Sequence, residues 1–123
     1  MAGRRIRIKA GPVEMDAVLN ESKSSEALWE ALPIEAHASL WGDEIYFSIG
    51  IHTGPENPQE VVELGDVAFW PPGSAFCIFF GKTPASRGDE IRPASAVNPL
   101  GKLDGDATQF KQVESGTIVR AEG

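Results

Sequence analysis

Trp41, Glu44 and Tyr46 lie close together in the chain, and the spacing of Glu44 and Tyr46 puts both on one face of a strand, because strand side chains alternate. A carboxylate beside two aromatic rings can hold a ligand's polar group against an apolar floor, or act as a general acid or base. Trp70, at the end of a later apolar run, supplies a third ring. A polar stretch follows with Thr83, Ser86, Arg92, Ser95 and Asn98, in which Arg92 can grip a carboxylate through paired hydrogen bonds. These nine residues are the candidate ligand-binding set, for a small anionic molecule or a short peptide. The competing reading is structural: the rings pack a barrel, and Thr83, Ser86, Ser95 and Asn98 only satisfy loop backbone groups.

Other chemistries lack their residues. His37 and His52 fall in different segments without a cysteine or carboxylate at ligand spacing, so neither a metal nor a cofactor is implied. Gly81-Lys82-Thr83 lacks the preceding glycine of a phosphate loop. Cys77 is the single cysteine, flanked by Phe76 and Ile78, which excludes an intrachain disulfide and suggests a buried thiol. A net charge of −7, from 18 acidic and 11 basic residues, opposes nucleic acid and anionic membranes as partners. The dense basic run Arg4, Arg5, Arg7 and Lys9 alternates with Ile6, Ile8 and Ala10, the pattern of a solvated strand face. A basic start without an apolar run, and no stretch of membrane-spanning length, lead us to expect a cytoplasmic protein. The oligomeric state is left open.

The elements that must position the candidates read as β-rich. With 123 residues and 41% hydrophobic content, the chain (1–123) is expected to form one domain. Its centre is Gly65 to Gly81, two strands around Trp70-Pro71-Pro72-Gly73, with Pro72-Gly73 expected at the centre of a type II turn. Phe76, Ile78 and Phe80 share one face of the second strand, while Ala75, Cys77 and Phe79 share the other. A strand apolar on both faces must be covered on both, which calls for a closed sheet with a loop or helix outside it.

Around this hairpin, Arg4 to Ala10 and Val13 to Asn20 read as strands about Gly11-Pro12. A short helix should follow, N-capped by Ser24, with Ala27, Leu28, Ala31 and Leu32 facing the barrel and an end before Pro33. Ile34 to Leu40 and Glu44 to Ile49 alternate as strands, and His52 to Gln59 and Gly81 to Pro93 are loops. Ala94 to Leu103 is expected as a strand bulged or at an edge because of Pro99. Asp104 to Val113 reads as a second short helix, and Thr117 to Arg120 as the closing strand. The fold class is thus mainly β, a closed antiparallel barrel with two short helices.

Several blocks carry a resemblance. Trp41-Gly42-Asp43-Glu44-Ile45-Tyr46-Phe47, Gly65-Asp66 with Trp70-Pro71-Pro72-Gly73, Phe79-Phe80-Gly81 with Thr83-Pro84 and Ser86, and Pro93-Ala94-Ser95-Ala96-Val97-Asn98 resemble the signature of small prokaryotic cyclophilin-like domains of unestablished function. Gly101-Lys102-Leu103, Gly105, Phe110 and Val113 are similar to the late strand and second helix of cyclophilins, the peptidyl-prolyl isomerases. The resemblance implies a cyclophilin-like barrel. It does not carry the isomerase residues: alignment on Gly65-Asp66 puts Pro55 at the catalytic arginine, Glu60 at a pocket phenylalanine and Glu63 at a pocket glutamine. Alignment on Gly101-Lys102 puts Val97 near the pocket histidine and Arg92 near the pocket tryptophan. Two function classes follow, a binding module and an enzyme. The enzyme would be a peptidyl-prolyl isomerase, or a small hydrolase or lyase with Glu44 as general acid or base.

Overall fold

Ile6, Ile8 and Ala10 are buried and Arg5, Arg7 and Lys9 exposed on β1 (Arg5–Ala10), the first strand of a computed structural model that describes residues 4–123. Gly11-Pro12 turns β1 into β2 (Val13–Leu19), which pairs with it from Arg5↔Val18 to Ala10↔Val13. The basic side chains of β1 meet carboxylates. Arg5 reaches Asp104 at 2.6 Å, Arg7 reaches Asp16 at 2.9 Å and Glu14 at 2.6 Å, and Lys9 reaches Glu122 at 3.1 Å.

Helix α1 (Lys23–Ala31) ends before Pro33, as its sequence requires, but its N-cap is Ser22 rather than Ser24. Three nearby serines can each cap a helix, and a contact from elsewhere decides between them. Glu56 accepts hydrogen bonds from Lys23 N (2.9 Å), Ser24 N (2.8 Å) and Ser24 Oγ (2.8 Å), fixing Ser24 inside the first turn. The buried side of α1 accordingly carries Ser24, Ser25 and Leu28, and Ala31 is exposed.

Ile34 to Leu40 divides into β3 (Ile34–His37) and β4 (Ser39–Leu40), with Leu40 exposed where a continuous alternation would have buried it. The chain bends at Ala38 because its two halves pair with opposite ends of the sheet: β3 with β9 (Ile118–Glu122), β4 with β5 (Glu44–Ser48). Around Ala38, Ala38 N donates to Thr117 O and Gly116 N to Ala38 O. With β6 (Asp66–Trp70), β7 (Ala75–Phe79) and β8 (Asn98–Asp104), the sheet order is β3-β9-β1-β2-β8-β6-β7-β5-β4. All the pairings are antiparallel, and the covalent link between the two outermost strands makes a nearly closed nine-stranded barrel.

Three further segments depart from the sequence expectation. The corner Pro71–Gly73 is a 3₁₀ turn rather than a type II turn, and the left-handed residue is Ser74 (φ 49°). Strand β8 begins at Asn98, because Ala94 to Val97 belongs to the outer cover, where Val97 bridges Gln59 instead of pairing in the sheet. Its pairing with β6 slips between Val67 and Ala68, leaving Leu100 as the extra residue next to Pro99, a bulge of the kind proline favours. The second helix, Ala107–Gln112, is 3₁₀, N-capped by Asp106.

Strand β7 is buried throughout. Phe76, Ile78 and Phe80 join the barrel interior with Phe47, Phe69, Leu100 and Phe110. Ala75, Cys77 and Phe79 face outward into a second cluster with Ala68, Val62, Ile91 and Val97. The cover is made of two connections, β5 to β6 and β7 to β8, pinned to each other by the bridges Gln59↔Val97 and Val62↔Ile91. The doubly apolar strand therefore obtains both of its covers.

Candidate functional site

The outer cluster does not close over the start of β5. Period two sends Ile45 and Phe47 into the barrel and Glu44 and Tyr46 outward, where their neighbours on β7 are Phe79 and Cys77. Trp41, just before the strand, returns its N–H to Glu44 O at 2.9 Å. Gly42 makes that turn possible: its φ is 61°, and a Cβ there would lie 2.8 to 2.9 Å from Pro84, Lys82 O and Thr83. On the opposite side, Trp70 ends β6 and donates its indole N–H to Ser95 Oγ at 2.7 Å. Its ring lies against Gly73, where a Cβ would come within 2.7 Å of ring carbons.

Trp41, Glu44, Tyr46 and Trp70 together line one pocket of about 220 Å³, completed by Pro93, Ala94 and Val97 from the covering segment. The lining is mostly apolar. Glu44 is 6% exposed, and its Oε1 has no hydrogen-bond partner among the described residues. Burial pushes its carboxyl up to about 7, against a smaller downward pull from the Cys77 thiol. Burial, with the neighbouring Glu44, also drives the Cys77 thiol well above its ordinary range, so it remains protonated and inert as a nucleophile.

The other candidates are placed differently. Arg92 and Ser95 line an adjoining groove of about 540 Å³ that shares Pro93 and Ala94 with the pocket as a common wall. The Arg92 guanidinium meets Glu90 at 2.8 Å and Glu60 at 3.9 Å. Thr83 and Ser86 shape the loop: Thr83 Oγ1 donates to Arg92 O, while Ser86 Oγ accepts from Thr83 N (3.0 Å) and Arg92 N (3.3 Å). Asn98 is buried toward α1, donating to Ser24 Oγ (3.2 Å) and Gly54 O (3.0 Å) and accepting from Glu56 N (2.8 Å). Pro93, Ala94 and Val97 were not among the residues singled out for a ligand site, since apolar residues on a returning segment carry no periodic signal.

At the positions aligned with isomerase residues, Pro55 and Glu60 are exposed and Glu63 is paired with Lys102 at 2.6 Å. Val97 is fully buried in the outer cluster. Among the described residues no group of three or more His, Cys, Asp and Glu side chains is placed to hold a metal ion. Nor is any helix among them long and apolar enough to cross a membrane.

Comparison with known proteins agrees with the architecture. The model of a family described as cyclophilin-like matches residues 4–122. The solution structure of a hypothetical protein from Archaeoglobus fulgidus superposes with a TM-score of 0.82 at 44% sequence identity, covering 98% of this chain and 94% of that one. No curated protein matches the chain.

Proposed function

Because this chain belongs to the cyclophilin-like family, a fold that hosts ligands without dictating which, we propose that it is a binding module for a small molecule or a short peptide. The ligand's site is the pocket between Trp41, Tyr46 and Trp70 over Glu44. One observation carries the reading: a carboxylate with an unpartnered oxygen at the base of an apolar, aromatic-walled concavity. A buried acceptor without a partner costs the fold on the order of 1–3 kcal/mol, and a ligand's donor in the pocket removes that cost. Aromatic walls supply the apolar contact that such sites use, with few polar groups for orientation.

The anionic ligand expected from Arg92 belongs to a different place: that guanidinium lies outside the pocket and meets Glu90 and Glu60, with its buried Nε left without a hydrogen-bond partner among the described residues. A peptide that crosses the Pro93-Ala94 wall could still engage it from the adjoining groove. Thermal-shift screening against metabolites and short peptides tests the proposal, since a ligand bound only by the folded state raises apparent stability. At least one stabiliser should emerge and lose its effect in Tyr46→Ala or Trp70→Ala. A screen without a stabiliser, or a shift indifferent to both substitutions, would defeat it.

A second reading rests on the Glu44 carboxyl itself, which titrates near neutrality as a general acid or base should. Turnover of a stabilising ligand, lost in Glu44→Gln while binding persists, would favour the enzyme. Prolyl isomerisation is expected to stay at background, because no arginine stands at Pro55 to bond the prolyl nitrogen as the amide twists. A proline-peptide assay showing catalysis well above background, reduced by substitution of Glu60 or Val97, would reverse that expectation.

A further inference from the structure

The pocket's chemistry narrows its ligand. We propose that it takes an alkylammonium group bearing at least one N–H, a secondary or tertiary amine in its protonated form, with the N–H on Glu44 and the alkyl groups among Trp41, Tyr46 and Trp70. This inference rests on the binding reading above and specifies its ligand class.

Four observations lead there. First, the lining residues, among those described, include one ionisable acid and no lysine, arginine or histidine, so the described pocket offers a negative group with no positive one opposite it. An anion would face the ionised Glu44 uncompensated, and a purely apolar group would leave its oxygen unpaired. Second, three of the seven lining side chains are aromatic, and indole and phenol rings attract cations through their quadrupole. The Trp70 N–H is already committed to Ser95, so what Trp70 offers the pocket is its ring.

Third, the mostly apolar lining discriminates among cations. A bare metal ion needs several oxygen or nitrogen ligands, and this pocket presents a single carboxylate. A primary ammonium would surrender most of its hydration for one acceptor, whereas alkyl groups in place of N–H donors leave little hydration to lose. Fourth, at about 220 Å³ the pocket is smaller than a typical drug-sized site, which suits a head group of a few heavy atoms. The net charge of −7 raises the concentration of cations around the whole molecule.

The titratable groups that face Glu44 are Tyr46 on its own strand and the protonated Cys77 thiol on β7; Pro93, Ala94 and Val97 from the covering segment do not titrate. Arg92, beside them in sequence, is turned to Glu90. Affinity for the cation should therefore rise several-fold between about pH 6 and pH 8, as Glu44 ionises.

The probes are trimethylammonium, with tert-butanol as a neutral analogue of similar shape and pivalate as an anionic one, followed by the indole N–H signals of Trp41 and Trp70 in heteronuclear spectra. Trimethylammonium should shift both signals saturably, bind roughly tenfold or more tightly than tert-butanol, and lose that advantage in Glu44→Gln. Trp70→Leu should weaken it independently, so the result does not depend on one variant. Equal binding of tert-butanol, or an undiminished cation in Glu44→Gln, would overturn the ammonium inference and leave the pocket standing as a binding site. Preferential binding of pivalate would overturn it in favour of an anionic ligand. No binding of any probe would overturn it as well, while the broader ligand screen would still judge the pocket itself.

Discussion

Glu44 and Glu56 are the same residue in two opposite situations. Glu56 sits at the N-terminus of α1 and accepts three hydrogen bonds from Lys23 and Ser24, which hold its carboxyl below the ordinary range. Glu44 sits at the base of an apolar pocket with an oxygen that accepts none, and its carboxyl is raised to about 7. One carboxylate ties a loop to a helix and thereby holds structure together. The other opposes folding when ionised, and an unpaired buried charge of that kind points to a demand other than stability.

Of the two carboxylates, Glu44 should respond the more strongly to substitution and pH. Its carboxyl is raised from 4.5 to about 7 in the folded state, so folding favours the proton. Stability from this group is fully present below its unfolded value and is lost as pH rises through about 7, in all by about 3 kcal/mol at 1.36 kcal/mol per unit. Glu44→Gln should therefore raise unfolding stability at pH 8 by up to about 3 kcal/mol, and by far less near pH 5. Denaturant titrations at both pH values measure this, and a variant equally or less stable at pH 8 would remove the distinction.

Gly73→Ala perturbs the pocket wall without touching a charge. The added Cβ would overlap the Trp70 ring, and overpacking of this kind costs about 1–3 kcal/mol. The ring should move off Ser95, which a shift of the Trp70 indole N–H signal would register; an unchanged signal would show that the ring is not held against that glycine.

Glu56→Gln should be destabilising at neutral pH, with the loss shrinking as pH falls through the lowered folded-state value and the wild-type carboxylate takes up its proton. The pH slope is thus opposite to that of Glu44, and hydrogen exchange at Lys23 and Ser24 should quicken at the same time. Arg92→Ala should have the smallest effect, roughly 1 kcal/mol or less for the loss of a half-buried ion pair with Glu90, and should leave a pocket ligand's thermal shift intact. An abolished shift would bring the guanidinium back into the site.

The period-two runs made the barrel legible, because a strand's alternation directly records which side of the sheet is dry. That is why β7 could be read as needing two covers, and why Glu44 and Tyr46 could be assigned to one face. Trp41 and Trp70 were accessible from their places at strand ends. What local patterns did not contain were decisions taken between distant segments. Glu56 chose the cap of α1 from outside the helix, and the separate partners β9 and β5 bent the chain at Ala38. Pro93, Ala94 and Val97 reach the pocket through the long return of the chain, anchored at Gln59 and Val62. Hydroxyls were the hardest to read, since Thr83 and Ser86 can serve a ligand or their own loop, and here they bond loop backbone.

The bend at Ala38 also bears on how other chains can approach. Exposed sheet margins are templates on which foreign strands polymerise or recognition peptides lie down as an added strand. Here the two outermost strands are neighbouring pieces of one segment, only four and two residues long, so the barrel offers little continuous main chain for such pairing. The same geometry that guards against fibrillar association leaves a peptide partner little to gain from strand addition at the sheet margins.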